Sequence, residues 1–422
     1  MEENMSTLNA QLVLGNGFDV YLKLPTKYDD FFSYQKIFNS DYCSFREMLN
    51  YSEFDPDLSI IRIPDSEFDS VIHKLTSHFS LWDAYFLLLD WFYEVDPNNE
   101  NGFGGGKNWS DVETQISNFL SPSSSITDLT LSNVMEEYTK KVGIQHIRLN
   151  TPIGKGCNLN YFLALFLYFR LDEEMRFKIG SHNCFDFALK ELKIFERNFS
   201  DYIIQCETKN EFYSIESTKF INSLINGPFE KITVESFNFT KMVLNENWYY
   251  RNVHGIASSD MSGIFGIETL SNKKRIVSTD DQYIFSKTSR ELELEINGNA
   301  GPDAFRRPHV LIIFGHSLNK QDEGYFFDLF DTMGLDDSGE TSIVVFDFCL
   351  YDKCQEAKIK ADRLTEATNL INRYEQWKIA SQPALQNQGS LLSRLLHTGR
   401  IQFRQIPRYG EKGAFNDPSK QN

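Results

Sequence analysis

Gln11-Leu12-Val13-Leu14-Gly15-Asn16-Gly17-Phe18-Asp19 decides how this chain is read. A short apolar run stops at Gly-Asn-Gly, which reads as a buried strand ending in a tight turn that glycine permits. A G-x-G after a strand lets backbone N–H groups approach a phosphate, and the N-terminus of the next helix adds positive potential. Taken alone, G-x-G is equally an ordinary glycine turn. Here it continues into Leu24-Pro25-Thr26-Lys27-Tyr28-Asp29-Asp30-Phe31, a far longer and more specific string.

Working outward, the same run-then-glycine pattern returns late in the chain. Residues 310–314 form an apolar run that ends at Gly315, and 321–333 reads as the helix behind it. Residues 231–237 alternate as a strand, 251–254 give a short one, and 280–285 and 291–296 are further strand candidates. Residues 342–348 read as another buried strand and 401–406 as the last; 358–379 and 389–397 carry helical composition. Between the first strand and this set, 28–225 is mainly helical, with dense apolar residues over 80–93 and helical spacing over 158–177 and 182–205. Asp96-Pro97-Asn98-Asn99 marks turns and 102–106 a glycine loop.

The expected fold is therefore α/β: a parallel sheet whose first strand comes from the N-terminus, with a large, mainly helical insertion. Residues 1–35 plus 228–410 would form the nucleotide-binding core, 36–227 the insertion and 411–422 a polar tail.

Composition bounds the function. At 422 residues, 41% hydrophobic and 24% charged, the balance is that of a globular protein, and 36 Phe with 19 Tyr predict a substantial interior or a large partner surface. The net charge of −17 repels phosphate backbones and anionic membranes at long range, and no basic run exceeds Lys273-Lys274-Arg275. Nucleic acid as direct ligand and membrane association are thus disfavoured. The six cysteines are scattered without a C-x-x-C pair, so no metal is expected; with no export signal in the sequence, the expected compartment is the reducing cytoplasm.

Two further constellations carry chemistry. Ser236-Phe237-Asn238-Phe239-Thr240 lies at a strand end, where an Asn amide can donate to and accept from ligand hydroxyls, or simply form a turn. His254 follows sixteen residues later in Val253-His254-Gly255; its ring is a side chain able to act as acid or base near neutral pH. Phe314-Gly315-His316-Ser317-Leu318-Asn319-Lys320-Gln321-Asp322 suits close backbone approach to a nucleotide, or is a strand–turn–helix connection without ligand. Asp322 either binds the ligand or begins the helix as a favourable charge. All three segments sit at strand ends, and ligands of open α/β sheets bind beyond the carboxyl ends of strands.

The G-N-G-F-D…L-P-T-x-Y-x-D-F string resembles the opening signature of the AbiH family of phage abortive-infection proteins, and Phe314–Asp322 resembles a late motif of the same family. The resemblance implies antiphage defence. A second resemblance is to sirtuins, in their G-A-G-x-S…G-I-P, Asn-Ile-Asp, His-Gly and Gly-Thr-Ser-Leu segments, here in the same order. Asp19 stands where that pattern has serine, Lys23 where it has glycine and Thr240 where it has aspartate.

The sirtuin resemblance implies a Rossmann-like (sirtuin-like) sheet that binds NAD as substrate. Gly15, Asn16, Gly17, Phe18, Asp19, Pro25, Thr26, Gly315, His316, Ser317 and Asp322 would contact it. It also implies that Asn238 orients water or the ribose, with His254 as acid/base partner. Without the four-cysteine zinc module of deacetylating sirtuins, the expected reaction is NAD hydrolysis with release of nicotinamide. Such an enzyme would have to be gated, by homo-oligomerisation, a second defence protein or a phage trigger. The alternative is a non-catalytic nucleotide or ADP-ribose sensor, or a scaffold subunit of a defence complex.

Other features carry less. His73 and His78 are five apart, off the spacing that places two ligands on one helix face. Asp111 and Glu113 follow Trp109 as pocket residues or as a helix start. Gly154-Lys155-Gly156 lacks the rest of a P-loop.

Overall fold

Six strands form one sheet, and every neighbouring pair in it is parallel. In chain order they are β1 (Asn9–Leu14), β2 (Lys231–Ser236), β3 (Tyr249–Asn252), β4 (Val310–Phe314), β5 (Ile343–Cys349) and β6 (Ile401–Ile406). The spatial order is β3-β2-β1-β4-β5-β6, so it reverses between β1 and β4. The computed structural model describes residues 8–55, 60–95, 112–120, 145–148, 161–170, 181–225, 227–259, 263–267, 270–271, 274–275, 281–293, 307–350, 352–387 and 389–410. The glycine loop at 102–106, Trp109, Asp111, 154–156, Cys157 and the tail from 411 lie outside them.

Register sets where the motifs leave the sheet. Leu14 pairs with both Ser236 and Phe314, and Ser236 pairs with Asn252. The last residues of β1, β2, β3 and β4 therefore lie in one row, and the segments that follow all emerge at the same level of the carboxyl edge.

Apolar strand residues alternate between two faces, as a strand buried on both sides requires. Val13, Leu311, Ile313, Val344 and Phe346 share a core with Phe326 and Phe330 of one helix (Glu323–Met333) and with Leu370, Ile371 and Tyr374 of another (Glu356–Ser381). Phe220, on the helix Tyr213–Leu224, packs instead against Phe18, Tyr21 and Phe314, with ring centroids 5.5, 4.2 and 5.0 Å away.

The chain divides into two compact units. The sheet unit comprises Met1–Thr26, Ser200–Gly263 and Glu291–Asn422; the other comprises Lys27–Phe199 and Ile264–Arg290. These bounds differ from 1–35, 228–410 and 36–227 for reasons of packing. Helix Tyr213–Leu224 is needed to cover one face of the sheet. Phe31, in the helix Tyr28–Phe38, packs its ring on Phe195 and Phe199, and Phe265 packs on the same two.

The second unit is helical and aromatic, with Trp82, Tyr85, Phe86, Phe162 and Phe195 all fully buried. It also holds a three-stranded antiparallel sheet, Glu53–Asp55, Ile60–Ile63 and Gln145–Arg148, inside a stretch read as helical. Two strand expectations are corrected. Residues 281–285 form a 3-10 turn, and Lys287–Glu293 is a helix rather than the start of a strand. Ser286 decides this: its carbonyl accepts from Arg290 N–H and its hydroxyl from Ser289 N–H, so a cap starts a helix before the charged–apolar alternation at 291 can act as a strand. The strand expected at 251–254 lies two residues earlier, leaving His254 beyond its end. No described helix is long and apolar enough to cross a membrane.

Candidate functional site

Three glycines bring the first and last motifs together. Gly15 N–H donates to Phe314 O (3.0 Å) and Gly17 N–H to Gly315 O (2.8 Å). A Cβ on Gly15 would stand 2.4 Å from His316 Cα, and one on Gly17 2.6 Å from Gly315 Cα. Gly315 takes φ +73°, with Phe18 N 2.5 Å from where its Cβ would be. Close backbone approach is thus the first use of these glycines, and both of those N–H groups are spent on it. Phe18 is fully buried in the core.

The two halves of the opening string fold back on each other. Asn16 Nδ2 donates to Thr26 O (3.2 Å), Thr26 Oγ1 to Asn16 Oδ1 (2.7 Å), and Tyr202 O–H to Pro25 O (2.7 Å). Between them Lys23 holds φ +66°, in the left-handed region. Asn16, Pro25 and Ser317 are exposed, while Asp19 and Thr26 beneath them are buried.

Asp19 joins the first motif to the second. Tyr213 O–H donates to its Oδ1, the Thr240 hydroxyl lies 3.2 Å from both carboxylate oxygens, the Thr26 hydroxyl lies 3.2 Å from Oδ2, and Asn238 Nδ2 lies 3.4 Å from Oδ1. Burial pushes the Asp19 carboxyl up to about 7, against the lowering effect of Tyr213, Thr240 and Thr26; the nearby charge of Glu207 adds to the rise. Burial also raises Glu207 to about 7, although it accepts from Lys241 N–H at 2.7 Å.

Asn252, the last residue of β3, ties the Asn238 and His254 loops together. Its Nδ2 donates to Asn238 O (2.6 Å) and its Oδ1 accepts from His254 N–H (3.1 Å). Ala257 N–H donates to Phe239 O (2.8 Å), extending the same zipper.

The Phe237 ring stands edge-on to His254 and His316, with centroids 5.2 and 4.6 Å away. Asp322 faces both imidazoles, with Oδ1 3.6 Å from His254 Nε2 and Oδ2 3.3 Å from His316 Nε2. His316 Nδ1 accepts from Leu318 N–H (3.0 Å), so in the neutral ring Nε2 carries the proton that points at Asp322. Leu318 is held at φ +54°, a left-handed conformation that costs a non-glycine residue roughly 1–3 kcal/mol. That hydrogen bond and the one from Arg373 Nη2 to Leu318 O (3.0 Å) maintain it.

The three motifs therefore meet at the carboxyl edge, at the reversal of strand order. Two buried polar atoms there have no hydrogen-bond partner: Asn238 Oδ1 and His254 Nε2. Native proteins leave few such atoms, and each calls for an explanation. Among the described residues no group of three or more His, Cys, Asp and Glu is placed to hold a metal ion.

Tyr213, Asn252 and Glu207 belong to this neighbourhood although no motif contains them. Only Asn252 had a signal, two residues before His254 on a polar strand end. Tyr213 sits in an unremarkable helix start.

The family model described as bacteriophage abortive infection AbiH matches residues 12–343, most of the chain. No curated protein and no solved structure matches it.

Proposed function

We infer what this chain does from the family it belongs to, bacteriophage abortive infection AbiH, together with the chemistry of its carboxyl edge. The proposed role is an antiphage effector that hydrolyses NAD and releases nicotinamide. It would be gated by oligomerisation, a second defence protein or a phage trigger, since unregulated NAD loss would kill the host.

The observation that carries this reading is the pair of buried, unpartnered atoms Asn238 Oδ1 and His254 Nε2, on loops stapled together by Asn252. A Rossmann-like, sirtuin-like core is supported by the strand order 3-2-1-4-5-6, the order of doubly wound dinucleotide-binding sheets. Two further details favour it. Lys23, at φ +66°, adopts the backbone region that a glycine takes readily, and glycine is what the sirtuin pattern has there. Asp19 and Thr240, where the pattern has serine and aspartate, are in contact at 3.2 Å, so carboxylate and hydroxyl have changed places across one hydrogen bond.

In the reaction, the bond between ribose C1′ and the nicotinamide nitrogen breaks and nicotinamide departs as a neutral ring. A water oxygen bonds to C1′, and the water's proton goes to a base. The products are nicotinamide, ADP-ribose and one proton, so a base is needed and a general acid is not. Asn238 would place the water or the ribose, and His254 would take the proton. Little covalent chemistry is asked of the protein beyond orientation and exclusion of solvent.

Asn238→Ala is expected to abolish both NAD loss and toxicity in cells expressing the full chain, with free nicotinamide as the readout. Persistence of both at normal abundance sinks the reading. An intact NAD pool in wild-type cells that nevertheless resist phage would favour a nucleotide-binding sensor or scaffold.

A further inference from the structure

Asp19 is surrounded by groups without charge: the hydroxyls of Tyr213, Thr240 and Thr26, the last of which gives its proton to Asn16 Oδ1, and the Asn238 amide. Among the described residues no cation pairs with it; the one charged group acting on it is the acid Glu207. Above its raised value of about 7 the Asp19 carboxylate is ionised and can only accept, so there it dictates which way each neighbour turns. For the hydroxyls that choice matters little, because a hydroxyl also accepts. For Asn238 it is decisive. With Nδ2 facing Asp19, Oδ1 is forced to the other side of the amide, where it is buried and has no partner. The backbone around it is equally fixed: Asn238 N–H donates to Ser236 Oγ (3.1 Å) and Asn238 O accepts from Asn252.

We propose that Asp19 is the positioning residue of this site: it locks the Asn238 amide so that Oδ1 is a fixed acceptor, and the ligand group that Oδ1 takes is an O–H donor of a nucleotide substrate, either a ribose hydroxyl or the attacking water. The assignment of the ligand rests on the reading of the site given above; the role of Asp19 in orienting Asn238 rests on geometry alone. Thr240 is the other half of the device. Its hydroxyl bridges the two carboxylate oxygens, so exchanging the two residues would return a carboxylate to the same contact from the opposite segment.

The test uses the full chain carrying Asp19→Ser, Thr240→Asp, the exchange variant Asp19→Ser/Thr240→Asp, or Asn238→Ala. Phage plaquing on expressing cells is measured beside kcat and KM for nicotinamide release by purified protein. Asp19→Ser is expected to lose about 10²–10³-fold in turnover, the usual effect of removing an oriented hydrogen-bonding group, and to lose protection as Asn238→Ala does. The exchange variant recovers most of both. A loss confined to kcat identifies water as the donor that Oδ1 meets, and a loss in KM identifies the ribose hydroxyl.

Wild-type protection by Asp19→Ser would overturn the proposal. So would an exchange variant that melts like the wild type yet stays as inactive as Asp19→Ser. If Asp19→Ser does not fold, Asp19→Asn, which keeps the shape, replaces it and is expected to show the same loss; full activity there is equally fatal. Protection without nicotinamide release in the wild type defeats the NAD reading alone, because the plaque series still decides the role of Asp19.

Discussion

The helical unit and the segments that follow the sheet's strands bury acids in different company; within the strands, Asp347 is paired with Arg404 at 2.6 Å, as the helical unit's acids are with their cations. In the helical unit they face cations: Asp90 lies 2.8 Å from Lys36 Nζ and 2.7 Å from Arg46 Nη1, Glu191 2.6 Å from Arg170, Glu113 3.0 Å from Lys287, and Glu196 2.5 Å from Arg290. Asp83, half-buried at a helix start, is held instead by Ser80 and Asn198. At the carboxyl edge of the sheet, Asp19 meets hydroxyls and an amide, and Asp322 meets two imidazoles. Ion pairs fix a fold. A desolvated acid among neutral donors remains able to titrate and to direct hydrogen bonds, which is what a reactive site requires.

The comparison breaks most visibly at the Glu196–Arg290 pair, where both side chains are 1% exposed. Arg290→Met leaves Glu196 buried without its cation, and removing one partner of a buried pair typically costs about 3–5 kcal/mol. Burial already raises Glu196 to about 7, so proton uptake softens part of the cost. Chemical denaturation should show the full loss at alkaline pH and a smaller one near pH 5. An equal, small loss at both would mean that the pair is not structural.

Asp19 should behave in the opposite sense. Its folded value of about 7 lies above the ordinary 3.8, so the native state binds the extra proton. The stability it contributes is fully present below about pH 4 and is lost as pH rises through 7, at up to about 1.4 kcal/mol per pH unit in between. Asp19→Asn removes that dependence. The stability difference between wild type and variant should therefore slope against the wild type from pH 4 to 7 and flatten above, a subtraction that cancels the other titrating acids. A flat difference across the window would place the ionised Asp19 in an environment as favourable as water.

Much of the sheet was legible in the sequence because parallel strands buried on both faces read as short apolar runs. Residues 11–14, 310–314, 342–348 and 401–406 all stand out in this way, and the first two end at the glycines that later touch each other. The strands at Ile60–Ile63 and Gln145–Arg148 escaped because their partners are distant in sequence and helical composition surrounds them. The site was half legible. Asn238 and His254 lie beyond strand ends and carry recognisable neighbours, whereas Tyr213 reaches Asp19 from a helix 194 residues away, a contact no local pattern encodes. Asp19 and Thr240 each looked like an isolated departure from the sirtuin pattern. The structure places the two side by side, 3.2 Å apart.

Glycines sharpen the contrast on a smaller scale. Gly315 and Gly399 both have positive φ, +73° and +69°, but Gly315 is pressed against Gly17 and Phe18, whereas nothing lies within 4 Å of a Cβ on Gly399. Gly399→Ala should cost only the left-handed penalty, roughly 1–2 kcal/mol. Gly315→Ala adds a backbone clash worth a further 1–3 kcal/mol or so, because neither turn can retreat without breaking the Gly17 N–H to Gly315 O bond. Thermal unfolding of the two variants separates them; equal losses would show that the close approach of the two turns is not under load.

The smallest effect concerns Lys23, exposed and held at φ +66°. Replacing it with glycine relieves a left-handed penalty of roughly 1–2 kcal/mol but frees the unfolded chain by about 0.5–1 kcal/mol, leaving a net gain of a few tenths to about 1 kcal/mol. The gain is expected because Lys23 N–H already donates to Val20 O and Leu24 N–H to Asp19 O, so the turn is fixed by its backbone rather than by the lysine side chain. A stabilised Lys23→Gly variant with unchanged activity would mark this turn as scaffold for the Pro25–Thr26 segment. Lost activity with the gain in stability would instead give the ammonium group a part at the carboxyl edge, and the contrast between acids held by cations and Asp19 among neutral groups would then need a cation on both sides.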